Sequence, residues 1–206
     1  IIMKTINSGL SWQKYSPTYI DVRDISFGTN NTGYFTTSNN IYRTTDKGQT
    51  WNELPFYADT IYPFNEHFEQ CHFFNADTGL LFRQGWSSSP IHIYKTYDGG
   101  QTWQLSTSFP FLYFTNGISF INNTTGYANF SDLSSSPSIY FGLYKTTDAG
   151  TSWQLINNTQ KLLKIRFLNE QIGFATWYKK LYKTLNGGNT WQEILENSNG
   201  DVEDVY

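Results

Sequence analysis

One eight-residue stretch occurs five times, and it limits what this chain can fold into. It reads TTDKGQTW at Thr44–Trp51, TYDGGQTW at Thr96–Trp103, TTDAGTSW at Thr146–Trp153 and TLNGGNTW at Thr184–Trp191. A degraded copy, TINSGLSW, occupies Thr5–Trp12. The shared frame is T-x-[D/N]-x-G-x-[S/T]-W, and a basic residue precedes each copy: Lys4, Arg43, Lys95, Lys145 and Lys183. Successive box tryptophans are 39, 52, 50 and 38 residues apart. A motif recurring at such a period marks a repeat architecture in which each copy is one supersecondary unit.

The stretch has the chemistry of a hairpin turn. Asp46, Asp98 and Asp148 can accept backbone N–H groups about two residues on, closing an Asx-type turn. Gly9, Gly48, Gly100, Gly150 and Gly188 supply the positive φ that such turns need. Asn7 and Asn186 replace Asp in two copies and can make the same turn, so the role is geometric rather than that of a charge or metal ligand. Trp12, Trp51, Trp103, Trp153 and Trp191 then open the next strand and bring a large apolar area to bury.

The flanks complete a four-stranded unit. A strand precedes each of the four later boxes: Ile41–Thr44, Ile93–Thr96, Leu143–Thr146 and Leu181–Thr184, where apolar and other residues alternate as a half-buried strand requires. Further upstream a second signature recurs, as ISFGTNNTGYF at Ile25, CHFFNADTGLL at Cys71, ISFINNTTGYA at Ile118 and IRFLNEQIGFA at Ile165. Each is a short strand with an aromatic (Phe27, Phe73, Phe120, Phe167), a polar turn, a glycine six residues after the aromatic, and another strand. The unit is therefore strand a around Phe27, strand b around Tyr34, strand c around Tyr42 and strand d from Trp51. Cys71 stands where the other copies have Ile, and reads as a small buried hydrophobe rather than a reactive thiol.

These motifs resemble the Asp-box, or BNR, repeat of β-propellers, found in sialidases, sortilin-type receptors, xyloglucanases and the photosystem II assembly-factor family. The resemblance implies an all-β propeller whose boxes are structural hairpins between strands c and d. TGY…YKTTDGG-TW blades are most similar to the bacterial repeat proteins grouped with the assembly factors. That likeness implies an exported or cell-envelope protein with a protein partner, and fold likeness alone does not fix function.

Four complete blades and an incomplete fifth are expected in a single propeller domain or segment over residues 1–206. Boundaries fall near 1–15, 16–57, 58–108, 109–157, 158–197 and 198–206. The tail DVEDVY at Asp201–Tyr206 matches DVRDIS at Asp21–Ser26, so head and tail supply strands a, c and d of the fifth blade but no strand b. The expectation is an excerpt of a six- to eight-bladed ring; a small closed ring with a gapped blade is the alternative.

Composition removes several functions. Aromatic residues are 18% and charged residues 15% of 206, which is not a disordered composition. A net charge of −3 without a basic run argues against nucleic acid. One cysteine allows no internal disulfide, no run reaches the length of a membrane span, and His67, His72 and His92 show no metal spacing. No cofactor and no metal are expected, and the oligomeric state is open. The five cations before the boxes read as solvated strand positions, with pairing to a neighbouring blade as the lesser reading.

Function points to the unequal loops. Two b–c connections are tight, at Ser38–Asn40 and Tyr178–Lys180, while two are long, at Gln84–Pro90 and Phe130–Pro137. The d–a connection Pro55–Glu66 is long as well, and the next one carries Phe111 and Tyr113. In an antiparallel blade the b–c and d–a connections leave at one end and the boxes at the other. Tyr62, Phe64, Glu66, Arg83, Trp86, Phe111, Tyr113 and Asp132 are thus candidates for a face that binds a protein partner or a glycan; drift in tolerant loops would lengthen them too. Trp86 belongs to no box, which makes it the leading anchor, expected at least partly exposed. Glu66 and Glu69 can be imagined as a glycosidase carboxylate pair, with ordinary polarity at the channel mouth as the plain reading. The sialidase chemistry needs an arginine triad, and Arg23, Arg43, Arg83 and Arg166 are the only arginines. The reading is a non-enzymatic binding scaffold, with a carbohydrate-active propeller (a glycan binder or part of a glycoside hydrolase such as a sialidase or xyloglucanase) as the alternative.

Overall fold

A computed structural model describes residues 2–14, 21–57, 66–85, 90–109, 114–132, 140–197 and 200–202, and these contain strands, turns and bends without a helix. Four antiparallel four-stranded sheets follow one another as β-propeller blades. Strands β3 (Asp24–Phe27), β4 (Gly33–Thr36), β5 (Ile41–Thr44) and β6 (Asn52–Leu54) form one, and β7 (Glu66–Phe73), β8 (Gly79–Gly85), β9 (Ile91–Thr96) and β10 (Gln104–Phe109) the next. Then come β11 (Phe114–Phe120), β12 (Gly126–Asp132), β13 (Tyr140–Thr146) and β14 (Gln154–Asn157), followed by β15 (Ile165–Phe167), β16 (Gly173–Trp177), β17 (Lys180–Thr184) and β18 (Gln192–Glu196). The head adds a hairpin of β1 (Met3–Lys4) and β2 (Gln13–Lys14). Each sheet is an up-and-down meander, the order expected when short turns join consecutive strands. The chain divides into two compact units, residues 1–84 with 92–105, and residues 85–91 with 106–206.

The repeated turn is built identically in all five copies. The Asp or Asn side chain accepts the backbone N–H four residues on: Thr50 to Asp46 at 2.8 Å, Thr102 to Asp98 and Ser152 to Asp148 at 2.9 Å, Thr190 to Asn186 at 3.0 Å and Ser11 to Asn7 at 2.9 Å. This corrects the expected two-residue Asx span. The longer span arises because two successive residues, not one, are left-handed: Lys47 and Gly48, Gly99 and Gly100, Ala149 and Gly150, Gly187 and Gly188, Ser8 and Gly9. The first of each later pair turns its N–H to the a–b turn of its own blade, as Lys47 does to the Asn31 carbonyl at 2.9 Å and Ala149 to that of Thr124 at 2.9 Å. The opening threonine hydroxyl takes the glycine N–H and donates to the Asp or Asn, as in Gly48–Thr44–Asp46. Asx turns of the expected short span occur instead between strands a and b, where Asn75, Asn122 and Asn169 accept N–H groups two and three residues on.

Each blade closes on an edge-to-face pair. Phe27, Phe73, Phe120 and Phe167 meet Trp51, Trp103, Trp153 and Trp191 with ring centroids 5.9–6.1 Å apart. The glycine six residues after the aromatic is there for room, since a Cβ on Gly79 or Gly126 would stand 2.5 Å from the Phe73 or Phe120 ring. Trp103 is fully buried, Trp51, Trp153 and Trp191 are half-buried, and Trp12 is 56% exposed.

The seams between consecutive blades follow one rule within each unit. In the first unit Tyr34 of strand b stacks on Phe73 of the next blade, centroids 3.3 Å apart, and its hydroxyl donates to the Ala76 carbonyl at 2.6 Å. In the second unit Tyr127 stacks on Phe167 at 3.6 Å and donates to the Glu170 carbonyl at 3.2 Å. Two of the cations before the boxes, Arg43 and Lys145, are part of these seams rather than merely solvated. Arg43 and Lys145 lie over the Tyr34 and Tyr127 rings, and Lys145 Nζ meets Glu170 at 2.9 Å in the following blade. Adjacent a strands are tied by side chains: the N–H groups of Cys71 and Phe73 donate to Asp24 and Ser26, and that of Phe167 to Ser119, all at 2.9 Å. Cys71 is buried and free, as its Ile-equivalent position requires.

Candidate functional site

The end of the blade where strand a begins and strand b ends carries a buried polar network in the first unit. Register places Arg83, near the end of β8, directly opposite His92 at the start of β9, so the two side chains share a face. Both reach Glu66, the first residue of β7. Glu66 Oε1 lies 2.8 Å from His92 Nδ1, and Oε2 lies 3.5 Å from Arg83 Nη1. Arg83 also donates to the Glu66 backbone carbonyl at 3.4 Å. The Glu66 carboxylate is only 2% exposed. A carboxylate taken out of water at that depth demands a countercharge, and the Arg83 guanidinium supplies it. Phe56 and Phe68 cover that guanidinium, at 4.9 and 5.1 Å from their ring centroids, and screen it from solvent.

A second group of polar side chains continues from it toward the preceding blade. His67 Nε2 stands 3.2 Å from Gln84 Nε2 and 3.3 Å from Glu69 Oε2. Glu69 in turn faces Arg23 at 3.6 Å, and Arg23 faces Asp21 at 3.5 Å and donates to the Ser38 hydroxyl at 3.2 Å. The backbone joins the same two blades here, with Phe68 N–H on the Ser38 carbonyl at 3.0 Å. Glu66 and Glu69 thus have different partners, the one Arg83 and His92, the other Arg23 and His67. Among the described residues no group of three or more His, Cys, Asp or Glu is arranged to hold a metal ion.

Of the sequence candidates, the structure brings Glu66 and Arg83 together as an ion pair. Glu66, named above as a candidate for the binding face, meets Arg83 and His92 of its own blade. Asp132 ends β12 in the second unit, paired in register with Tyr140. Tyr62, Phe64, Trp86, Phe111 and Tyr113 lie outside the described residues, as do most of the two long b–c connections. Sequence reasoning missed His92 and Gln84. No signal in the sequence sets His92 apart, because the equivalent positions in the other blades are Asn40, Gly142 and Lys180, none of them apolar.

His72 and the boxes titrate away from their ordinary values. Burial drives His72 down to about 4, so it is neutral at ordinary pH. Hydrogen bonds from the Thr50 side chain and backbone hold Asp46 at about 2. For Asp98 and Asp148 burial pushes upward, but hydrogen bonds from Thr102 and Ser152 outweigh it and both stay below the usual range.

No protein-family model and no curated protein matches this chain. Solved structures do. YCF48 bound to D1 peptide aligns over 94% of this chain and 75% of its own length, at a TM-score of 0.51 and 14% identity. An ancestral GH74 enzyme aligns over 89% of this chain at a TM-score of 0.60 and 15% identity, and the GH74 enzyme of Niastella koreensis over 87% at 0.53 and 17%. This chain spans 29% and 30% of the length of those two enzymes. The likeness is one of fold, the β-propeller.

Proposed function

We propose that this chain is a non-enzymatic Asp-box propeller scaffold that binds a protein partner through the connections at the strand-a-start and b–c end of its blades. The observation that carries this reading is the fate of the charged groups at that end. Glu66, Arg83 and His92 bind one another across β7, β8 and β9, and so lock the strand ends from which the long connections leave. A rigid end carrying long aromatic-rich connections is the arrangement of a binding platform, where preorganised aromatics supply most of the affinity. The YCF48 neighbour, a propeller too, holds a peptide, which lends the reading weight without identifying the partner. Export or a cell-envelope location accompanies the proposal on the Asp-box resemblance, and the leading anchor remains Trp86, followed by Tyr62, Phe64, Phe111, Tyr113 and Asp132.

Peptides selected from a display library on the immobilised chain test the reading. They should lose about 30-fold in affinity, or about 2 kcal/mol, on a Trp86→Ala variant of unchanged melting temperature. Binding or cleavage of xyloglucan oligosaccharides, with no Trp86-dependent peptide, would favour the carbohydrate-active reading instead.

A further inference from the structure

Asn186 is followed by Gly187, a pairing that carries a chemistry the other boxes lack. The side-chain carbonyl of an asparagine is open to attack by the backbone nitrogen of the next residue once that nitrogen loses its proton. A glycine there leaves the nitrogen unhindered, since it has no Cβ. The equivalent pairs are Asp46–Lys47, Asp98–Gly99 and Asp148–Ala149, whose ionised carboxylates resist attack, and Asn7–Ser8, where a side chain crowds the nitrogen. Packing accounts for the glycine at 187. A Cβ on it, at a φ of +68°, would stand 2.7 Å from the Glu170 carbonyl oxygen.

The folded turn blocks the reaction at each participant. The Gly187 N–H donates to the Gln171 carbonyl at 2.9 Å, so the attacking nitrogen is held toward the a–b turn and keeps its proton. Asn186 Oδ1 accepts the Thr190 N–H and the Thr184 hydroxyl, both at 3.0 Å. Its Nδ2, the leaving group, donates to the Thr190 hydroxyl at 2.9 Å. The side-chain carbonyl carbon meets the Gly187 nitrogen only after these bonds are given up. Asn186 is itself exposed, so its protection comes from hydrogen bonds and not from burial.

We propose that Asn186 is a deamidation site, guarded by the box while it is folded and released when the turn opens. In the open turn hydroxide takes the Gly187 amide proton, and the nitrogen bonds to the Asn186 side-chain carbonyl carbon. The bond from that carbon to Nδ2 breaks, and ammonia departs to leave a five-membered imide. Water then adds to one imide carbonyl and opens the ring, giving aspartate or its isomer linked through the side chain. Nothing is oxidised or reduced. The box sorts the two products. Aspartate refolds, because Asp46, Asp98 and Asp148 already hold this turn and take the Thr50, Thr102 and Ser152 hydroxyls at 2.6 Å. The isomer adds a carbon to the main chain of a turn whose bonds fix its span, and it does not close. Each opening that reacts thus turns an Asn box irreversibly into an Asp box with one more negative charge, or leaves the turn open.

Timed incubation of the whole chain in mildly alkaline buffer, across a denaturant series that ends beyond unfolding, tests this. Peptide mapping by mass spectrometry follows Asn186 separately from the other two Asn-Gly pairs, Asn116–Gly117 and Asn199–Gly200, and amide NMR follows hydrogen exchange at Gly187. In the folded chain Asn186 should convert about tenfold or more slowly than in the free peptide KTLNGGNTW, which copies Lys183–Trp191. Conversion and Gly187 exchange should rise together with denaturant, since both need the same N–H released. After refolding, the aspartate product should melt with the unmodified chain and the isomer below it. Asn186→Asp should likewise keep the melting temperature at neutral pH. Conversion in the folded chain as fast as in the peptide, or conversion that does not follow Gly187 exchange, would overturn the proposal. So would an isomer that refolds as well as aspartate, or a marked loss of stability in Asn186→Asp.

Discussion

The side chain that matters most in the repeated turn works through its oxygen and not through its charge. Asn7 and Asn186 accept the same N–H as Asp46, Asp98 and Asp148, and their amide groups replace the lost carboxylate oxygen by donating to Ser11 and Thr190 at 2.8 and 2.9 Å. The charge still leaves a pH signature. Asp46 ionises near 2 when folded against an ordinary value of 3.8, so its contribution is present above about pH 4 and lost as pH falls toward 2. Changing Asp46, Asp98 and Asp148 together to Asn should flatten the stability curve between pH 4 and 2, as read by denaturant unfolding at each pH, at small cost near neutrality. Gly126 makes the opposite kind of demand. Its Ala variant must push the Phe120 ring aside, and overpacking of that sort costs roughly 1–3 kcal/mol, which a melting curve will register. The glycines and the acceptor were legible in the sequence. The span of the turn was not, because residue types do not reveal that Lys47 and Ala149 adopt left-handed conformations forced by their bonds to the a–b turn.

At the scale of the strand, residue patterns stop being informative where a contact crosses from one blade to the next. Alternation and turn chemistry placed all four strands of each blade, yet Arg43 and Lys145 read as solvated because the stacked tyrosine beneath each, and Glu170 beside Lys145, come into reach only at the blade seams. The network at Glu66 shows the same limit: Glu66 and Arg83 were singled out, but His92 becomes visible only once the β8–β9 register sets it beside Arg83. Glu66→Ala leaves the Arg83 guanidinium without its carboxylate beneath Phe56 and Phe68. A loss of about 3–5 kcal/mol is expected by chemical denaturation, as for one partner removed from a buried ion pair. On β7, His72 gives a second pH window. The unfolded imidazole takes a proton below about 6.5, whereas the folded one resists until about 4. The unfolded state therefore binds more protons in that interval, and stability falls as pH drops through it, by roughly 3 kcal/mol in all. His72→Ser, the residue found at the equivalent Ser26 and Ser119, should remove that slope.

The whole chain is a row of similar units whose cohesion is uneven. Strands b and c are buried throughout in β4 and β9, whereas β2 and β18 are exposed at every residue. Hydrogen exchange should follow this pattern, with the amides of β4, β8, β9 and β12 slowest and those of β1, β2 and β18 fastest. Protection of β1 equal to that of β5 would mean the head hairpin is held as firmly as a full blade. The blades themselves were legible from the five boxes, since each strand is specified by residues a few positions away. The aromatic anchors of the long connections belong to no repeat, so no second copy of the sequence constrains where they go.

The turn that defines this chain tolerates either a charged or a neutral residue at its centre, with the same bonds and the same backbone. Five such positions sit at or near the solvent, in a chain of net charge −3. Exchanges between Asp and Asn there can carry the isoelectric point upward toward neutrality without rebuilding a hairpin. Solubility, adsorption to charged surfaces and choice of ionic environment can then drift in this architecture independently of the fold.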